Sequence, residues 1–145
     1  MNPPAASAPV LREFHRPGTW LAGWAVLFAL VALGSLLPQG DLPSGPDGFD
    51  KVQHFLGYAC LSAYAVMLFA RMRPQALAAL AVISFGIAIE VAQATLTDDR
   101  TGDSADAMAN ALGTLAGLLL SATPLSRGLQ WLDTRWFRAG GRTQP

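Results

Sequence analysis

Charge is scarce in this chain of 145 residues: 14% of the side chains are charged and 52% are apolar, where soluble domains carry about a quarter charged. With a positive mean hydropathy, that deficit argues against an ordinary soluble domain and for a membrane protein. Cysteine occurs once, as Cys60, which excludes an internal disulfide framework and any Cys-rich zinc motif, because both need at least two thiols. Net charge is zero, so nucleic acid is not an expected partner. The chain also lacks internal repeats, low-complexity tracts and a serine nucleophile elbow.

What is present is a set of long apolar runs. "TWLAGWAVLFALVALGSLL", residues 19–37, carries no charge and matches the roughly 20 residues that cross a hydrocarbon core. It exceeds the apolar core of about 7–15 residues in a signal peptide and lacks a small-x-small cleavage site, so it reads as a retained helix. Further runs cover 52–70, 75–96 with Glu90 inside it, and 107–123, closed by Pro124. The expectation is an all-α bundle of four membrane-spanning helices over 19–123. A cytoplasmic tail over 1–18 is expected to be disordered, and a juxtamembrane segment follows over 124–145. In that segment Leu125, Leu129, Leu132 and Trp136 recur at helical spacing among several Arg residues, the pattern of a short amphipathic helix on the membrane surface.

Orientation follows from the basic residues. Arg12, Arg16, Arg71, Arg73, Arg127, Arg135, Arg138 and Arg142 fall on the side shared by both termini; Lys51 and Arg100 fall in the opposite loops among six Asp residues. The positive-inside rule therefore places both termini in the cytoplasm.

The polar residues inside these runs share one depth and one face each. At 1.5 Å per residue, His54 lies roughly 6 Å and Tyr58 roughly 12 Å below the outer rim, Gln93 and Glu90 roughly 6 and 10 Å, Asp106 and Asn110 roughly 3 and 9 Å. Asp50, His54, Gly57 and Tyr58 follow helical spacing; so do Gly86, Glu90 and Gln93, and Asp106, Asn110, Gly113 and Gly117. A carboxylate facing lipid costs about 2.5–3.5 kcal/mol on the lenient insertion scale. The stripes are accordingly expected to face one another in an outward-opening polar chamber, with glycines permitting close approach. Glu90 needs a partner, for which His54 and Arg100 are the candidates. Cys60, off the His54 face, is expected in the core.

At these residues the chain resembles the VanZ-like family. "DKVQHFLGY" followed by "EVAQATLTDDRTGDSADAMANALGTLAG" is similar to that family's D-K-x-x-H-x-x-x-Y, E-x-x-Q and R, D, N, G pattern across the second to fourth helices. The resemblance implies a multi-pass protein of the bacterial cytoplasmic membrane and, as in the family's namesake, a part in teicoplanin resistance. It implies no established reaction and no cofactor, and it leaves the oligomeric state open. Carried over by motif position are Asp50, Lys51, His54, Tyr58, Glu90, Gln93, Arg100, Asp106, Asn110 and Gly113.

Three readings of these residues stand side by side. In the first, Asp50, Lys51, Tyr58, Gln93, Arg100 and Asn110 bind a membrane lipid or a lipid-linked envelope precursor. In the second, His54 is a general base oriented by Glu90 or Asp106 in a lipid head-group hydrolase or transferase. In the third, the polar layer only fixes helix register. A metal held by His54, Glu90 and Asp106 ranks below these, because the stripes offer no second His, and no metal is expected.

Overall fold

A computed structural model describes residues 9–37, 45–96 and 103–138. Five α-helices account for most of them: α1, Pro17–Leu36; α2, Phe49–Leu68; α3, Met72–Leu96; α4, Ser104–Leu118; and α5, Gly128–Arg138. Two 3₁₀ turns, Leu119–Ala122 and Pro124–Arg127, join α4 to α5. Among the described residues the only β pairing is an isolated bridge between Leu11 and Phe69. Each helix starts within three residues of the start of its apolar run, since a polar flank can still complete the first turn.

Helix α1 opens on Pro17, whose fixed φ and missing N–H suit the first helical position. It is apolar on all sides, and of its residues only Trp20 is buried. Val26, Leu30 and Leu33 are more than half exposed, as expected where lipid is the neighbour. In α3, by contrast, Gln75, Ala78, Ala79, Val82, Gly86, Ile89, Glu90 and Gln93 are buried, a continuous stripe at intervals of three and four that faces the bundle.

Three of the described helices are long and apolar enough to cross a membrane: Pro17–Leu36, Met72–Leu96, and α4 with its extension, Ser104–Ala122. The run expected as a further span is α2. Its 20 residues reach about 30 Å, but Asp50, Lys51, Gln53 and His54 in the first turns make it less apolar. It is also the central helix, burying His54, Tyr58, Leu61, Ser62, Ala65, Val66 and Leu68.

Glycines set the closest seam. A Cβ on Gly113 would overlap the Phe55 carbonyl, and one on Gly117 the Ala59 carbonyl, with Ala63 N at 2.8 Å. The α4 backbone therefore lies directly on α2, as the G-x-x-x-G spacing suggests. Gly57, expected on the same polar stripe, faces α1 instead, with Val31 as its neighbour. Cys60 is exposed and does not belong to the core as expected: two residues beyond Tyr58 on a helix, it points away from the face that Tyr58 buries.

The N-terminal stretch also departs from expectation. Residues 9–16, counted with a disordered tail, run along the end of α2: Arg12 N–H donates to Leu68 O at 2.8 Å and Ala70 N–H to Val10 O at 2.9 Å. The Arg12 guanidinium donates twice to Val66 O at 3.3 Å. The last carbonyls of a helix have no intrahelical donors, and here the preceding chain supplies them. At this end Trp20, Leu68 and Leu129 form an apolar cluster with Leu11, Phe14, Trp24 and Phe137 around it.

Candidate functional site

The start of α2, the end of α3 and the start of α4 meet at one end of the bundle, and the polar stripes converge there. Lys51 forms the outer layer. Its Nζ lies 3.0 Å from Asp50 Oδ2, 3.0 Å from Asp103 Oδ2 and 3.2 Å from Asp106 Oδ1, tying α2 to the start of α4. Asp103 is the N-cap of α4, its Oδ1 accepting the Ala105 N–H at 2.8 Å. That bond, and the Lys51 ammonium, hold the Asp103 carboxyl below the usual carboxylate range.

Below this layer the groups are buried. His54 Nδ1 lies 3.0 Å from Asn110 Oδ1, and Asn110 Nδ2 donates to Glu90 Oε1 at 3.2 Å. Glu90 Oε2 accepts the Asp103 backbone N–H at 3.3 Å. This order assigns the imidazole tautomer. Because the Asn110 amide nitrogen is turned to the carboxylate, its oxygen faces His54, so Nδ1 carries a hydrogen, and in the neutral form of the ring the lone pair is on Nε2. Nε2 faces Asp106 Oδ2 at 3.8 Å, beyond hydrogen-bond reach; Nδ1 is also 3.8 Å from Glu90 Oε1. One donor atom from each of His54, Glu90 and Asp106 lies within 4.8 Å of the other two.

Tyr58, one turn below His54, is fully buried, and its hydroxyl has no hydrogen-bond partner among the described residues. Gly86 makes room for it, since a Cβ there would sit 2.9 Å from the Tyr58 ring and 3.2 Å from Asn110 Cβ.

The sequence-derived residues thus divide. His54, Glu90, Asp106, Asn110 and Tyr58 come together; Asp50 stands at the rim with Lys51. Gln93 is buried on the same helix face as Glu90, but its Nε2 donates to Ser35 O of α1 at 2.8 Å, bracing α1 against α3. Arg100 lies outside the described residues. Asp103, an outward-loop acid with no site role in the sequence reading, joins the rim, and an Asp preceding the "SADAMAN" helix start is a recognisable N-cap signal.

With this geometry in place, comparison with protein families is decisive. A family model described as VanZ/LLP1 matches residues 9–125. The chain belongs to the VanZ/LLP1 family. No curated protein and no solved structure matches it. The VanZ/LLP1 match covers α1 to α4 and begins at the first described residue, so it takes in the segment that caps α2 as well as the buried polar site.

Proposed function

We propose that this VanZ/LLP1 protein spans the bacterial cytoplasmic membrane four times, α2 included, with both termini inside. In this reading its polar chamber takes up the head group of a membrane lipid or lipid-linked envelope precursor from the outer face, and the consequence for the cell is altered susceptibility to teicoplanin. The observation that carries the proposal is the buried His54–Asn110–Glu90 chain, drawn from three helices and lidded by Lys51 and Asp103. Ionisable groups placed inside a membrane bundle are costly and serve function by default. A second reading has its own support: the Nε2 lone pair on His54 suits a general base in head-group hydrolysis or transfer.

The test uses His54→Ala and Glu90→Gln proteins expressed at wild-type level and monodisperse in detergent. Loss of teicoplanin protection and of co-purifying lipid, read by mass spectrometry, is the expected outcome. A chemically altered envelope lipid present only with the wild type selects the enzymatic reading. Folded variants that keep both lipid and protection leave the polar layer a structural role.

A further inference from the structure

Acids outnumber bases among the described residues at the chamber. Among the described residues Asp50, Glu90, Asp103 and Asp106 bring four carboxylates to this end of the bundle, while Lys51 is the one Lys or Arg paired with them, and it sits in the outer layer against Asp50, Asp103 and Asp106. Glu90 and Asp106 flank His54 at 3.8 Å on its two ring nitrogens.

The ring orientation indicates what is suited to the gap. His54 donates Nδ1–H to the Asn110 carbonyl at 3.0 Å, the arrangement that orients a histidine whose other nitrogen binds metal. That other nitrogen, Nε2, and Asp106 Oδ2 are two electron-pair donors facing each other across 3.8 Å. Two bonds of about 2.1 Å to a shared ion at a tetrahedral angle would set them about 3.4 Å apart. Tyr58 adds an independent sign. Its ring lies beside Asn110, the residue between His54 and Glu90: a Cβ on Gly86 would sit 2.9 Å from the Tyr58 ring and 3.3 Å from Asn110 Nδ2. The Tyr58 hydroxyl is fully buried and has no hydrogen-bond partner among the described residues.

We propose that His54, Glu90 and Asp106, each with a donor atom within 4.8 Å of the other two, bind one divalent transition-metal ion, Mn²⁺ or Zn²⁺. One imidazole and two carboxylates form a mixed nitrogen–oxygen set suited to these ions rather than to Mg²⁺ or Ca²⁺, which prefer oxygen alone. Three protein ligands leave a position open, and a phosphate oxygen fits it. Only that last ligand rests on the head-group reading above; the ion site itself does not.

The experiment uses the full chain in detergent, stripped with a chelator and desalted, with no lipid added. Free Mn²⁺ is followed by electron paramagnetic resonance and Zn²⁺ by competition with a chromogenic chelator. The expected result is one ion per chain, with affinity weakened at least about tenfold by Asp106→Asn and by His54→Gln and tightened by Lys51→Gln, which removes a competing ammonium. X-ray absorption of the Zn²⁺ form is expected to show one nitrogen and otherwise oxygen neighbours. Absence of saturable binding by the wild type overturns the proposal. So does a sulfur neighbour, which would mean Cys60, or unchanged affinity in an Asp106→Asn protein that unfolds at the wild-type temperature. Ion binding without lipid retention keeps this site and removes the head-group reading; lipid retention without ion binding does the reverse.

Discussion

Asp133, on α5, is nearly inaccessible and accepts four donors at once. Its Oδ2 takes the His15 backbone N–H at 2.7 Å and His15 Nδ1 at 2.6 Å; its Oδ1 takes the Trp20 indole N–H at 2.8 Å and the Arg16 N–H at 3.4 Å. Burial by itself would raise the carboxyl pKa, but these bonds outweigh it and hold it at about 2. A depressed carboxyl contributes stability above its unfolded value, near 4, and loses it as pH falls toward 2. Asp133→Ala is expected to cost about 1–3 kcal/mol, since it strands buried donors, and to loosen α5 with the segment ahead of α1. Tryptophan fluorescence during unfolding reads this directly, because Trp20 stacks on Trp136 at 5.8 Å. Asp133→Asn is expected to flatten the dependence of stability on pH between about 4 and 2; an unchanged acid profile would show that the cage does not set it.

For the helices, the seam between α2 and α4 carries the most exacting packing. Backbone atoms, not flexible side chains, stand where a Cβ on Gly113 or Gly117 would go, so the two helices must separate to admit one. Gly113→Ala is expected to lower stability in detergent by about 1–3 kcal/mol. It is also expected to move Asn110 off His54, because Asn110 lies one turn before Gly113. Gly34→Ala on α1 is the control: nothing lies within 4 Å of a Cβ there, and the change is expected to be neutral or stabilising by up to about 1 kcal/mol. Thermal unfolding of the two variants side by side checks both statements. Equal unfolding temperatures would mean that the seam yields more easily than its backbone contacts imply.

Over the whole molecule, the chain places Arg12, Arg16, Arg71, Arg73, Arg127 and Arg135 at one end of the bundle and the acidic layer at the other. Asp47 and Arg73 flank α2 and are both exposed. In a Cys60→Ser background, Asp47→Cys is expected to react with a membrane-impermeant maleimide in intact cells, and Arg73→Cys only after permeabilisation. Because α2 alone separates the two positions, labelling of both from one side would remove it from the set of spanning helices.

The sequence by itself determined the all-helical membrane character, helix starts to within three residues, and which polar residues share a face, because length, hydropathy and the 3.6-residue period are local properties. The glycine seam was legible for the same reason: Gly113 and Gly117 fall one turn apart on the Asp106–Asn110 face. Rotation of one helix against another is not local, and only the tertiary structure decided it. It made Asn110 the link between His54 and Glu90 and turned Gln93 toward Ser35. It also left Cys60 exposed. Asp133 is the sharpest case. Its place on the apolar side of α5, four residues after Leu129, signals that the acid needs a partner, but the donors come from His15, Arg16 and Trp20, more than 110 residues earlier. Separations that long are closed by packing of the whole bundle, and no pattern within a single helix encodes them.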